Sequence, residues 1–296
     1  MFVLKNKKLQ IAIHPQGAEL QKITSVKNGR DFMWDGNPEI WSWHSPNLFP
    51  IVGGLKDGTY FFAGKAYHLP QHGFARHSKD FKLTDESEQL LTLTLEDSEK
   101  TQEVYPFKFQ FSVTYELLEN QIKVSYRVRN TDDQIIYFSV GGHPAFKCPL
   151  YPEETYDDYT LRFEKPETSK THLLNLKNGL FNSKTESVFD TPHTIQLNPH
   201  LFDKDALVFT DLNSRKVTLE SKKHGDILHF TFEDFPYLGI WAKPNAHFVC
   251  IEPWQGHADN ENTNQEITEK AGIIALGISE TFNVSYTIEI EESHLV

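Results

Sequence analysis

The sequence predicts an all-β chain folded as one large antiparallel β-sandwich, on three observations. Apolar residues recur at every second position while helical spacing is scarce. Asn-Gly and Asp-Gly pairs punctuate the runs as turns. No Gly/Ser linker, repeat or low-complexity stretch divides the 296 residues. That length could hold two average domains, but all-β folds of this size often form one, so residues 1–296 are expected to be a single domain. Hydrophobic residues make up 39% of the chain and include 22 Phe, ample for a packed core.

In chain order, residues 9–13 (Leu-Gln-Ile-Ala-Ile) and 20–24 (Leu-Gln-Lys-Ile-Thr) read as short strands, with Asn28-Gly29, Asp35-Gly36 and Asp57-Gly58 as turns. Leu91, Leu93 and Leu95 mark a strand that should pair beside the clearest one. There Phe107, Phe109, Phe111, Val113, Tyr115 and Leu117 alternate with Lys108, Gln110, Ser112, Thr114 and Glu116, the pattern of a strand buried on one face. After Glu119-Asn120 the alternation resumes at Ile122, Val124, Tyr126 and Val128, which predicts a hairpin. An apolar run over 135–140 is expected to form a strand ending in Gly141-Gly142. Later strands are expected at 217–219, 227–232, 248–251 and 284–290.

Composition excludes several classes. A formal charge of −12 and the lack of a dense Lys/Arg cluster argue against nucleic-acid binding. Two cysteines, Cys148 and Cys250, are too few for a disulfide framework and suit a reducing compartment. The opening residues show no apolar signal core, and no run reaches membrane-spanning length, so a cytoplasmic protein without a membrane partner is expected. The 14 histidines, His68, His72, His77 and His257 among them, show no tight ligand spacing, and no metal is expected.

Three separated segments carry the chemistry. In Leu69-Pro70-Gln71-His72-Gly73-Phe74-Ala75-Arg76, an amide, an imidazole and a guanidinium fall within six residues, suited to gripping sugar hydroxyls or a phosphate. A solvated loop is the plainer alternative. In Gly141-Gly142-His143-Pro144-Ala145-Phe146, the proline biases His143 toward extended backbone, which fixes the angle of an imidazole able to give or take a proton near neutrality. His143 is thus a candidate general acid, with a core histidine bonded to a carbonyl as the alternative. In Cys250-Ile251-Glu252-Pro253-Trp254, a carboxylate at the exit of an apolar strand is a candidate general base, since partial burial raises its pKa. A structural ion pair with Arg76 is its alternative. A sugar's apolar face could stack on Trp254 or Trp241.

These segments, with Asn47-Leu48-Phe49-Pro50-Ile51-Val52-Gly53, resemble the aldose 1-epimerase (galactose mutarotase-like) family, and within it the LacX-type and hexose-6-phosphate epimerase branches. The similarity runs from about residue 9 to about residue 290 in the family's order. It implies a β-supersandwich and interconversion of α and β anomers of an aldose, without metal or organic cofactor. By position His143 matches the family's general acid and Glu252 its general base. His72 and Arg76 match ligand-binding positions, and Gln71 matches a substrate contact of the phosphosugar branch. The aspartate that holds sugar hydroxyls matches Asp205, with Asp203 two residues away as the alternative.

The residues suit that reaction. A base removes the anomeric hydroxyl proton while an acid protonates the ring oxygen, and rotation about C1–C2 followed by reclosure gives the other anomer. Each positioned proton transfer contributes about 10²–10⁴-fold. One departure concerns specificity: related sequences commonly carry an arginine just after Phe-Pro-x-x-Gly, where this chain has Gly54, Leu55 and Lys56. A lysine lacks the bidentate fork, so preference between free and 6-phosphorylated sugars stays open. Two other classes use the same residues. A glycoside hydrolase would pair Glu252 with Asp205 or Asp259, and a sugar-binding protein would bind without accelerating anomer exchange.

Overall fold

Period-two alternation builds the centre of the larger of two antiparallel sheets. In the computed structural model, which describes residues 1–296, Phe109–Leu118 and Gln121–Asn130 form the expected hairpin, with Leu117 opposite Ile122 and Phe111 opposite Val128. Glu119 takes a left-handed φ of 54° in its tight turn. Leu90–Glu96 pairs on the far side, setting Leu93 against Val113 and Leu95 against Phe111. The full order is Thr194–Gln196, Tyr159–Phe163, Lys216–Ser221, Gly225–Thr231, Thr281–Ile290, Gln121–Asn130, Phe109–Leu118, Leu90–Glu96 and Lys82–Glu86, nine strands in all.

The second sheet runs Phe181–Glu186, Thr171–Leu174, Leu207–Phe209, Tyr237–Trp241, Phe248–Gln255, Val140–Gly142 and Asn47–Leu48, with Ala145–Lys147 also paired to Phe248–Gln255. Inward faces of the two sheets meet in one continuous apolar core. Phe49 stacks on Phe111 with ring centroids 4.5 Å apart, and Phe146 meets Phe230. Asn47 is the polar exception. Its amide donates to the carbonyls of Gly17 and Ala18, and its oxygen accepts from the Tyr126 hydroxyl at 2.8 Å, so its polar atoms are satisfied despite complete burial. Three small sheets complete the fold, among them Phe2–Lys5, Leu9–His14 and Glu19–Ser25 near the N-terminus.

The structure departs from the sequence reading in three places. The run over 135–140 is two strands in different sheets. Ile136–Phe138 pairs with Ile274–Leu276 and Val140–Gly142 joins the second sheet, while the Ser139 amide between them donates to the Pro50 carbonyl. A short helix, Glu99–Val104, follows a Ser98/Thr101 capping box that its few residues give no periodicity to reveal. The strand expected to end at Ile251 continues to Gln255.

Candidate active site

Along Phe248–Gln255 the two-residue period turns Cys250, Glu252 and Trp254 to one face of the second sheet, opposite Val249 and Ile251. Glu252 is therefore mid-strand rather than at a strand exit. Pro253 is tolerated there because the neighbouring ladder is broken. Gln255 and Trp254 pair with Val140 and Gly141, and Cys250 to Phe248 pair with Ala145 to Lys147. Between them only the Ile251 amide reaches across, to the Pro144 carbonyl. His143 sits in that break. Its Nε2 lies 3.2 Å from Glu252 Oε2, with both side chains buried.

Aromatic rings close around the imidazole. Trp41 stacks on His143 at 5.0 Å, while Trp241 and His72 meet it edge-on at 5.9 and 5.7 Å. Burial, assisted by the Arg76 charge, pulls the His143 pKa down to about 3 against an opposing backbone hydrogen bond. Its ordinary value near neutrality, expected from sequence, does not survive this desolvation. Glu252 moves the other way. Burial raises its pKa well above the usual carboxylate range, the nearby Asp205 charge adds to the rise, and the Trp254 indole N–H opposes it.

Gln71, His72, Arg76 and Asp205 line the same pocket, which encloses about 880 Å³ including its open mouth. His72 is buried rather than solvated. Its Nδ1 accepts from the Gly53 amide at 3.1 Å, so the neutral ring carries its proton on Nε2. Burial and the neighbouring His143 and Arg76 hold its pKa well below normal. Arg76 engages two of its five N–H donors within the protein: Nη2 donates to the Gln71 carbonyl at 3.0 Å and Nε to His77 Nε2 at 3.2 Å, while the guanidinium lies 5.3 Å from the Trp43 ring. Glu252 has His143 as its ion-pair partner, not Arg76.

Of the two aspartates, Asp205 lines the pocket and Asp203 does not. Asp205 holds φ 76° and accepts the Ala206 amide, whereas exposed Asp203 pairs with His200. Asp259 lies outside the pocket lining, bound to Lys270 at 2.8 Å and to the Lys56 amide, so it does not form the second carboxylate of a hydrolase with Glu252. Lys56 is also outside the lining. Gly54 faces the carbonyl of Asn178 and Leu180, both 3.7 Å from where its Cβ would stand.

The sequence reading missed the apolar wall of Leu174, Phe181, Ala206, Val208 and Ala258. These residues come from short strands and loops with no periodicity to announce them. Trp41 was signalled only by Trp41-Ser42-Trp43, an aromatic pair around a polar residue. Cys250 was also missed as a neighbour of the acid and base. Its sulfur and the ligating atoms of His143 and Glu252 lie within 4.8 Å of one another. His68 and His257 instead face Thr59 and the Ala258 carbonyl.

A family model described as aldose 1-epimerase matches residues 1–273. The chain is 31% identical over 299 residues to the plasmid and chromosomal LacX proteins of Lactococcus lactis subsp. lactis, covering 97% of this chain and 98% of theirs. Among solved structures, it is similar to a galactose mutarotase related enzyme from Lactobacillus acidophilus, with a TM-score of 0.92, 35% identity and coverage of 98% and 97%. A galactose mutarotase-like protein from Lactobacillus casei also gives 0.92, at 28% identity over 98% of this chain and all of that one.

Proposed function

The chain belongs to the aldose 1-epimerase family, and from that premise we propose that it interconverts the anomers of a neutral aldohexose, with Glu252 as base and His143 as acid. The observation that carries this reading is the buried 3.2 Å approach of His143 Nε2 to Glu252 Oε2 on the pocket floor. The pair holds one proton throughout the reaction. In the ring-closed state the proton is on the imidazole and the carboxylate is free. Glu252 accepts the O1 proton as His143 donates to the ring oxygen, which breaks the C1–O5 bond and leaves an aldehyde beside neutral imidazole and neutral carboxyl. Rotation about C1–C2 and the reverse transfers close the other anomer.

Burial helps both transfers. A carboxylate with a raised pKa is a stronger base and an imidazolium with a lowered pKa a stronger acid, so desolvation pushes the charged pair toward the neutral pair formed on ring opening. The attraction between imidazolium and carboxylate at 3.2 Å offsets part of that push. Asp205, Gln71 and the Nε2–H of His72 are placed to hold sugar hydroxyls, and Trp241 offers an apolar ring face.

Three features favour a neutral sugar over a sugar phosphate. Gly54 supplies no cation, Lys56 is outside the lining, and Arg76 is the one Lys or Arg of the lining, with Nε and one Nη2 hydrogen held by His77 and Gln71. The remaining ionisable acids of the pocket, Asp205 and Glu252, repel an anion. Saturation-transfer NMR on glucose, galactose and glucose 6-phosphate tests this. Faster exchange of a neutral hexose, at least tenfold above the phosphate ester in kcat/KM, is expected; a preference for the ester would contradict it.

A further inference from the structure

Gly239 stands directly across the ladder from Glu252, and the space beside the carboxyl that a side chain would occupy is filled by Trp254. A Cβ on Gly239 would fall 2.5 Å from Trp254 Cζ2 and 2.6 Å from Cη2, and one on Gly141 2.8 Å from Cδ1. Two glycines on the flanking strands thus form a slot in which the indole lies flat on the sheet. It runs from its own strand position toward the neighbour of Glu252. Buried at 5% exposure, its Nε1 makes no hydrogen bond, and Glu252 Oε2 makes none either, its close polar neighbour being His143 Nε2 at 3.2 Å. A buried donor and a buried acceptor, each unsatisfied and set two residues apart on one strand face, are suited to partner each other through a small rotation of either side chain.

We propose that Trp254 is a positioning residue whose indole N–H donates to the Glu252 carboxylate, keeping it ionised and turned toward the anomeric hydroxyl. This deepens the sequence expectation, in which Trp254 served as a stacking surface, and it rests on Glu252 being the base. The indole is the one neighbour that favours the ionised form by hydrogen bonding. From the other elements the carboxyl faces His143 at the strand break, Asp205 on the loop before Leu207–Phe209, and Cys250 on its own strand. His72 and Arg76 come from the 71–76 loop. Asp205 raises the carboxyl's proton affinity, and a cation lowers it.

Trp254→Phe keeps an aromatic ring in the slot and removes the donor. Because His143 and Glu252 titrate as a pair, the two limbs of the pH–rate profile belong jointly to them. Loss of a charge-assisted hydrogen bond raises the sum of their pKa values, so the midpoint of the bell moves up by about 0.5–1 pH unit, with kcat falling more than KM changes. An unshifted midpoint, or a loss confined to KM, would overturn the proposal in favour of packing or sugar stacking. A second measurement is independent of turnover and of whether the variant folds. With 15N-tryptophan label, the Trp254 indole N–H resonance should titrate with Glu252 in the wild type, and the titration should vanish in Glu252→Gln. An indole resonance that ignores pH in the wild type, or titrates unchanged in Glu252→Gln, would exclude the hydrogen bond. Failure of Glu252 as the base appears separately, as full exchange activity in Glu252→Gln.

Discussion

Lys270 Nζ lies 2.8 Å from Asp259 Oδ1, with both side chains almost wholly buried beside Ala258 of the pocket lining. The ammonium also donates to the His257 carbonyl at 2.7 Å, and Asp259 Oδ2 accepts the Lys56 amide at 3.0 Å. The pair therefore ties together the segment that presents Ala258 against Gly53, where a Cβ on the glycine would come within 2.6 Å of the Ala258 amide.

Cutting this pair from one side leaves a buried charge without a partner. Lys270→Met is expected to lose about 3–5 kcal/mol of unfolding free energy in urea, while the double variant Lys270→Met/Asp259→Leu recovers a large part of it. Equal losses in the single and double variants would show that the ammonium's packing, not its charge, carries the effect.

Asn47 offers a second test of the interior. Replacing it with Ala leaves the Tyr126 hydroxyl and the Gly17 carbonyl without their partner, while the Ala18 carbonyl keeps the Tyr115 hydroxyl, at a cost of about 1–3 kcal/mol. Urea denaturation measures it, and a change below about 0.5 kcal/mol would mean that these groups find other partners.

Much of the frame around these residues is legible in sequence. The alternation from Phe107 to Val128 specifies both a hairpin and the face it buries, because one register alone buries every ring. The placement of the acid and base is legible only in part. His143-Pro144 and Glu252-Pro253 each announce a constrained polar residue, but that the break between Val140–Gly142 and Ala145–Lys147, which holds His143 and Pro144, faces the strand segment carrying Glu252 and Pro253 is a long-range fact. The desolvation of His143 is likewise invisible, since Trp41 and Trp241 reach it from segments about 100 residues away on either side. Asp205 and Asp203 differ in sequence by nothing that shows which enters the pocket.

The opposite displacements of the two pKa values give stability a defined pH dependence. Glu252 binds its proton more tightly folded than unfolded, so its contribution is fully present below about pH 4.3 and is lost as pH rises through the folded value. Glu252→Gln removes that loss. Its melting temperature relative to wild type should rise between pH 5 and pH 8.5, and a constant difference would indicate a carboxyl that titrates normally. His143 has the reverse sign: stability is present above about pH 6.5 and declines as pH falls toward about 3.

Gly54 is free to carry a side chain, since its φ lies outside the left-handed region and its nearest neighbours are 3.7 Å from a Cβ. Gly54→Arg is expected to raise kcat/KM for glucose 6-phosphate relative to glucose by about tenfold or more, through a guanidinium suited to bidentate phosphate binding. An unchanged ratio would place phosphate discrimination elsewhere in the pocket.

The proposed chemistry has Glu252 take a proton from the sugar while His143 gives one to it. The most direct measurement is the anomer exchange rate of glucose and galactose by saturation-transfer NMR for the wild type, Glu252→Gln and His143→Ala, each checked for folding by circular dichroism. Acceleration by the wild type is expected, with a fall of about 10²–10⁴-fold in each variant. A folded Glu252→Gln protein that exchanges the anomers as fast as the wild type would contradict it.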